Sequence, residues 1–234
     1  KLLHWETKSL AEHESLDELF KQLPENQWVV SGDGTACVTS FQAAYLKKGQ
    51  RLYTNSGCAS MGYDLPGAIG ASISGNRAKI ICLAGDGSIQ MNLQELQTIQ
   101  THRLPIKIFL LNNQGYHSIR QTQQNYFADN IVGCGLESGL GFPDFAKVAA
   151  AFGMPYFSAS THTELPKVIT SALETPGATL TEVHLDLRQQ FAPKLASRKL
   201  DDGRMVSSPL EDLAPFLPRE EFKQNMLIPL WEEK

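Results

Sequence analysis

No two of the four cysteines, Cys37, Cys58, Cys82 and Cys134, stand in a Cys-x-x-Cys spacing. That gives no argument for a zinc site. Nothing argues for disulfides, which suits a reducing cytosol. Cys82 lies in an apolar run and reads as a small core residue; Cys58 reads as a spectator. No apolar stretch is long enough to cross a bilayer, and no secretory signal stands out, so a cytoplasmic protein without a membrane partner is expected. Lys and Arg are scattered rather than striped, and the formal net charge is −4, so no general affinity for nucleic acid is implied. The basic residues around Arg198 (Lys194, Arg198 and Lys199) read as a solvated face or a tail contact. There is no internal repeat and no low-complexity tract. What remains is a chain of 234 residues, 42% hydrophobic and 20% charged, a size and composition that fit one α/β domain with a sizeable core. The start, Lys1-Leu2-Leu3-His4-Trp5, lacks an initiator methionine and reads as a piece of a longer chain.

The informative stretch is Gly85-Asp86-Gly87-Ser88, followed downstream by Asn112-Asn113. Ile80-Ile81-Cys82-Leu83-Ala84 leads into the first half, and Ile106-Lys107-Ile108-Phe109-Leu110-Leu111 into the second. Both runs are short, apolar and closed by turn residues, the pattern of buried parallel strands. Between them Asn92 to His102 reads as a helix, with Leu93, Leu96 and Ile99 near one face, ended by Leu104-Pro105. This is one β-α-β unit. It sets the ends of two neighbouring parallel strands side by side, where α/β sheets bind ligands, so Asp86 and Asn113 are expected to meet at one sheet edge.

A carboxylate, a carboxamide and glycine-freed backbone at such an edge suit a hard divalent cation carrying a phosphate. Mg²⁺ takes oxygen ligands in an octahedron and is usually completed by phosphates and water. Asp86 would give a charged oxygen, Asn113 a neutral one, and the Gly115 carbonyl a third. Gly87 and Ser88 would present N–H groups and a hydroxyl to the phosphates. A Gly-Asp-Gly by itself is usually only a turn. The ordered series strand, Gly-Asp-Gly-Ser, helix, strand, Asn-Asn-Gln-Gly resembles the cofactor signature of thiamine-diphosphate (ThDP) enzymes.

The resemblance extends to Ser56-Gly57-Cys58-Ala59-Ser60-Met61-Gly62-Tyr63-Asp64-Leu65-Pro66-Gly67-Ala68-Ile69-Gly70-Ala71, which looks like the segment preceding the signature in acetolactate synthases and related 2-oxoacid enzymes. It implies that Met61 wedges under the cofactor and that the Ala59 carbonyl, next to Ser60, accepts from its aminopyrimidine. Met91, in Gln90-Met91-Asn92-Leu93-Gln94-Glu95-Leu96, matches another cofactor-side methionine, and Gly34-Thr35 a pair that touches the diphosphate. The expected cofactor contacts are therefore Gly34, Thr35, Ala59, Ser60, Met61, Gly85, Asp86, Gly87, Ser88, Met91, Asn113, Gly115, Tyr116 and His117, with Asp86, Asn113 and Gly115 on Mg²⁺. Residues 112–123 and Ser207-Ser208-Pro209-Leu210-Glu211-Asp212 look like acetolactate-synthase-like proteins of nucleotide-sugar pathways. Biosynthetic acetolactate synthases tend to carry a Leu-Gly-Met-Val run and a tryptophan after Asn-Asn. Here Gly115-Tyr116-His117-Ser118 stands instead, which bears on the substrate rather than on the cofactor.

The fold class that the resemblance implies is α/β: a three-layer α/β/α arrangement with a mainly parallel central sheet, the ThDP-binding fold, over residues 1–187. An extended tail over 188–234 would pack on the body or on a neighbouring subunit. The implied reaction is decarboxylation of a 2-oxoacid, pyruvate first among them, with transfer of the two-carbon unit to a second carbonyl such as a keto-sugar nucleotide. A simple 2-oxoacid decarboxylase and an inactive domain serving only as a dimerisation half remain as alternatives. The glutamate that activates ThDP belongs, by the resemblance, to a pyrimidine-binding domain of the same or a second chain, within a homodimer or homotetramer. This chain alone is therefore expected to bind cofactor weakly and not to turn over. FAD is open to the full-length enzyme, seated mainly in a middle domain. His117, four positions past Asn113, is the candidate catalytic acid/base or carboxylate-binding group, against a plain reading as a partly exposed loop histidine; Tyr116 and Arg120 are candidates of the same kind.

Elsewhere the sequence predicts a helix over Leu16–Gln22, a strand over Trp28–Ser31, a helix over Thr39–Tyr45, a short strand at Arg51–Thr54 and a small-residue helix over Leu65–Ser74. After the signature come helices over Asp144–Phe152 and Leu165–Glu174, and strands near Phe157-Ser158 and over Thr179–Asp186. Gly133 to Gly141, with four glycines in nine residues, reads either as an active-site lid or as a surface loop.

Overall fold

The computed structural model describes residues 10–127, 130–199 and 203–229. It divides into two units, residues 1–189 and 190–234.

In chain order the first unit runs α1 (Glu12–Gln22), β1 (Trp28–Ser31), α2 (Thr35–Ala43), β2 (Arg51–Tyr53), α3 (Asp64–Ser74), β3 (Ile80–Gly85), α4 (Asp86–Ile89), a 3₁₀ turn (Gln90–Asn92), α5 (Glu95–Thr101) and β4 (Ile106–Asn112). It continues with α6 (His117–Tyr126), a second 3₁₀ turn (Leu136–Ser138), α7 (Phe145–Ala151), β5 (Tyr156–Ala159), α8 (Leu165–Glu174) and β6 (Thr179–His184). The six strands form one sheet in the order β2-β1-β3-β4-β6-β5, and every pairing in it is parallel.

Alternation along the strands builds a core on each face. Val30, Ile80, Cys82, Ala84, Ile108 and Leu110 point to one side, with Leu65, Leu96 and Phe145 from the helices α3, α5 and α7. Val29, Ile81, Leu83, Phe109 and Leu111 point to the other, under Leu16, Phe20 and Ile169 from α1 and α8. Coverage of both faces is why these strands read as unbroken apolar runs, and each fully buried Leu, Ile or Phe contributes about 1.5–3 kcal/mol. Lys107 is the charged exception: it is 2% exposed, and its Nζ donates to the carbonyls of Thr175 and Gly177 beyond α8. Burial pushes its pKa down to about 8.

Several element boundaries depart from the sequence reading. The first helix begins at Glu12 rather than Leu16. The second begins at Thr35 rather than Thr39 and stops at Ala43, because Gly34 adopts φ 98° and turns the chain from β1 straight into α2. The helix expected over Asn92–His102 is a broken series, helical from Asp86, 3₁₀ over Gln90–Asn92 and helical again from Glu95. There the Asn92 amide turns aside to donate to the Gly62 carbonyl at 2.7 Å. The helix α6 had no counterpart in the sequence reading. Its sequence, His-Ser-Ile-Arg-Gln-Thr-Gln-Gln-Asn-Tyr, has no apolar stripe, and its buried face is His117, Arg120 and Gln121. The stretch 133–141 is a stitched loop: Ser138 Oγ accepts from both Cys134 and Gly135 N–H at 2.9 Å, and Cys134 is fully buried.

The second unit is not simply extended. It holds an antiparallel hairpin, β7 (Ser197–Lys199) with β8 (Met205–Ser207), and a helix, α9 (Arg219–Asn225). Arg219 pairs through both Nη atoms with the Asp212 carboxylate, at 2.6 and 3.0 Å, and lies over the Phe216 and Phe222 rings.

Candidate functional site

Parallel register carries the signature residues to one edge. Ser31 pairs with Leu83 and Gly85 with Leu111, so the C-terminal ends of β1, β3 and β4 deliver Thr35, Asp86 and Asn113 to the same side of the sheet. Order reverses between β1 and β3, the kind of switch point where open α/β sheets form a crevice.

Asp86 opens α4 and is 1% exposed. Its Oδ1 accepts from the Gly87 N–H and its Oδ2 from the Gly115 N–H, both at 2.9 Å. Burial pushes its carboxyl up to about 7, against the lowering pull of those two N–H groups and of the Arg120 charge. Each oxygen still keeps lone-pair capacity for a metal. Asn113 is 4% exposed. Its Nδ2 donates to Thr35 Oγ1 at 3.2 Å, while its Oδ1 is buried and accepts no hydrogen bond. A buried carboxamide oxygen without a donor is costly in water-free surroundings and is what a neutral metal ligand would look like. Among the described residues no group of three or more His, Cys, Asp or Glu side chains forms a metal cage. A cation held by one carboxylate and one carboxamide would draw its remaining oxygens from its ligand and water, as Mg²⁺ held with phosphates does. The residues fit that group.

The loop past Asn113 is locked by glycine. Gly115 takes φ 140°, and a Cβ there would lie 2.1 Å from the Cys134 carbonyl oxygen. Tyr116 N–H donates to that same carbonyl at 2.8 Å. The Tyr116 ring covers Gly87, where a Cβ would come within 2.4 Å of a ring carbon. Gly87, Gln90, Met91 and Tyr116 face Leu140, Gly141 and Phe142 across a cleft of about 230 Å³.

Ser88 is fully buried, and its hydroxyl, expected on a phosphate, is engaged elsewhere: it donates to Asp64 Oδ2 at 2.6 Å and accepts from Gly62 N–H at 2.8 Å. Its place is to tie α4 to the loop 59–62. Gly62 therefore has its N–H held by Ser88 and its carbonyl by Asn92, which fixes the chain beside Met61. Met61 is half-buried, and its Cε stands 4.0 Å from where a Gly34 Cβ would be. Ala59 adopts φ 50° and is exposed; Ser60, also exposed, donates its N–H to Asn55 Oδ1 at 3.2 Å. Met91 is 48% exposed at the cleft mouth, and Gly85 closes β3. His117 is neither in a loop nor partly exposed: it is the first residue of α6 and buried.

Three acidic residues were missed as parts of this site. Asp64, fully buried at the start of α3, holds Ser88 and is itself pushed up by burial. Glu12 is 3% exposed; it accepts from Thr39 Oγ1 at 3.0 Å. Burial pushes its carboxyl up to about 7, opposed by the Thr35 and Thr39 hydroxyls and reinforced by the Asp86 charge. Glu137 lies 3.4 Å from Arg120 Nε. Asp64 was visible in the Tyr63-Asp64-Leu65-Pro66 stretch; Glu12 sits in an acidic first turn that, read alone, looks solvated.

A parallel α/β sheet with a carboxylate and a carboxamide at its switch-point edge places the chain among α/β domains that take ligands in a crevice at the strand ends. Residues 32–183 match the family described as thiamine pyrophosphate enzyme, C-terminal TPP binding domain, and the chain belongs to that family. Among its relatives it is similar to the acetolactate synthase large subunit of Pyropia yezoensis, 34% identical over 160 residues, covering 68% of this chain and 27% of that protein. It is also similar to the acetolactate synthase large subunit of Cyanidium caldarium, 33% over 194 residues, covering 83% and 32%. The third is the chloroplastic acetolactate synthase of Arabidopsis thaliana, 31% over 185 residues, covering 77% and 28%. The matched segment thus spans only about a third or less of each relative's length.

Proposed function

We propose that this chain is the metal- and diphosphate-holding domain of a full-length carboligase that decarboxylates pyruvate and transfers the two-carbon unit to a second carbonyl. The observation that carries the reading is the buried, donor-free Asn113 Oδ1 at the same edge as Asp86. ThDP, when bound, supplies the nucleophilic carbon and the electron sink that loss of CO₂ from a 2-oxoacid needs. The chain's own residues anchor and shape. Asp86, Asn113 and the Gly115 carbonyl take Mg²⁺, Gly87 and Thr35 approach the diphosphate, and Met61 and Met91 support the rest of the cofactor. Tyr116, with Leu140 and Phe142, narrows the access of water to the cleft. His117 serves as the acid/base group beside it.

The activating glutamate comes from a pyrimidine-binding domain of the same or a second chain, within a homodimer or homotetramer in a reducing cytosolic compartment. Exposed Val38, Phe41, Tyr45 and Leu46 along and after α2 support such a partner, since apolar side chains grouped in this way are usually covered. All four cysteines are free thiols, and among the described residues no helix is long and apolar enough to cross a membrane. The acceptor we assign is a keto-sugar nucleotide, on the resemblance of residues 112–123.

Feeding pyruvate to the full-length protein, with and without a keto-sugar nucleotide, tests this. A branched sugar or acetolactate is the expected product. Free acetaldehyde alone would assign a simple decarboxylase instead.

A further inference from the structure

One peptide unit in the metal loop is held from both ends. The peptide between Gln114 and Gly115 donates its N–H to Asp86 Oδ2 at 2.9 Å. Its carbonyl accepts from Arg120 Nη2 at 2.7 Å. Arg120 Nη1 also reaches the preceding carbonyl, that of Asn113, at 3.4 Å. Arg120 is 7% exposed; Glu137 Oε1 faces it as a charge partner 3.4 Å from Nε, an atom that makes no hydrogen bond. The guanidinium lies in a slot between two glycines. A Cβ on Gly115 would stand 3.0 Å from Arg120 Nη2, and one on Gly135 would stand 2.7 Å from the same atom and 2.5 Å from Glu137 Oε2. The sequence reading offered Arg120 for a substrate carboxylate. Its donors instead face loop carbonyls and Glu137, in the fork geometry that suits guanidinium rather than ammonium.

We propose that Arg120 is a positioning residue for the metal loop. By fixing the Gln114–Gly115 peptide opposite Asp86, and with Glu137 holding it in place, it sets the direction of the Gly115 carbonyl and so the site's preference for Mg²⁺. This rests on the functional reading above. The physical reason is geometric: the Gly115 carbonyl is aimed by the two peptides that flank its Cα. One has its Tyr116 N–H held by the Cys134 carbonyl at 2.8 Å, and the other, across the φ of 140°, is held by Arg120 and Asp86, so losing Arg120 frees one of the two. Mg²⁺ demands a near-ideal octahedron at roughly 2.0–2.1 Å, whereas Ca²⁺ tolerates irregular oxygen shells at roughly 2.3–2.6 Å. A loosened carbonyl should cost Mg²⁺ more than Ca²⁺.

The test is calorimetric titration of ThDP into the full-length protein over a range of Mg²⁺ and, separately, Ca²⁺ concentrations, for wild type, Arg120→Met, Arg120→Lys and Glu137→Gln. Thermal unfolding of each is recorded without ligand. Arg120→Met is expected to raise half-saturating Mg²⁺ about 10- to 100-fold, as loss of an outer support does, and half-saturating Ca²⁺ less than about 3-fold. Arg120→Lys should restore part of the Mg²⁺ preference, and Glu137→Gln should shift it in the same sense by roughly 2- to 5-fold. Unchanged metal preference in Arg120→Met overturns the proposal. So does equal weakening with both metals alongside a lowered unfolding temperature, which marks a mere structural prop. Should Arg120→Met fail to fold, an unaltered Mg²⁺ response in Glu137→Gln overturns it. Wild-type protein that binds ThDP with neither metal overturns the functional reading itself, and this inference with it.

Discussion

Asn113 and Thr35 meet across 78 positions of chain, with the Asn113 Nδ2 donating to the Thr35 hydroxyl at 3.2 Å. That bond decides which atom of the carboxamide is left facing the site: with Nδ2 engaged, Oδ1 remains as an acceptor. Thr35→Val keeps the shape of the side chain and removes the acceptor. The amide then loses its orientation, and Glu12 loses one of its hydroxyl partners. Affinity for Mg²⁺ with ThDP is expected to fall about tenfold, with a loss of about 1–2 kcal/mol in stability. Titration and denaturant unfolding on the one variant read both.

Asp86 must be ionised to hold a cation, and burial holds its carboxyl at about 7. Metal binding therefore releases a proton at lower pH. Mg²⁺ affinity in the presence of ThDP is expected to rise about tenfold per unit below pH 7 and to level off above it. Titrations at several pH values in buffers of different ionisation heat would show the slope and the released proton together. A flat profile would remove Asp86 from the metal shell.

Glu12 carries the clearest consequence for stability. Its carboxyl is raised from 4.5 to about 7, so in this window the folded state holds a proton that the unfolded chain gives up. The stabilisation is full below pH 4.5 and is lost as pH rises through 7, an effect on the order of 3 kcal/mol at most. Asp86 acts in the same sense without metal. Glu12→Gln should make the metal-free protein more stable at pH 8 than wild type and reduce, without abolishing, the decline between pH 5 and 8. Unfolding free energies against pH are the measurement.

Gly87 lies under Tyr116 so closely that any side chain must displace the ring. Gly87→Ala is expected to cost about 1–3 kcal/mol by overpacking and to weaken cofactor binding by widening the cleft. In the background of Tyr116→Ala the same change should cost much less. A double-mutant cycle in unfolding free energy gives the coupling directly.

Much of this arrangement was legible in the sequence because β1, β3 and β4, covered on both faces, are almost wholly apolar, with Lys107 the one charge among them. The strand Trp28–Ser31 and the helix Leu165–Glu174 stand where periodicity set them, and the two signature strands are each longer by one residue. Helix starts were harder. The turn into α2 depends on the φ of Gly34, which composition does not encode. Helix α6 was invisible because its buried face is His117, Arg120 and Gln121, so no apolar period marks it. The site divided in the same way. Asp86, Asn113 and Gly115 are adjacent to strand ends and could be placed from topology. Glu12 and Glu137 come to the site through tertiary packing alone, and a carboxylate in a polar turn carries no sign of burial; Asp64 stood in a stretch already singled out, but its tie to Ser88 appears only in the fold. Ser88 illustrates the converse: its motif suggested phosphate, while the fold gives its hydroxyl to Asp64 and Gly62.

The central claim is that Asp86 and Asn113 hold a divalent cation with ThDP. Calorimetric titration of ThDP plus Mg²⁺ into the full-length protein, beside Asp86→Ala and Asn113→Ala, tests it most directly. The account predicts saturable binding in the wild type that depends on Mg²⁺ and falls at least about 100-fold in each variant. Binding of equal strength in wild type and variants would contradict it.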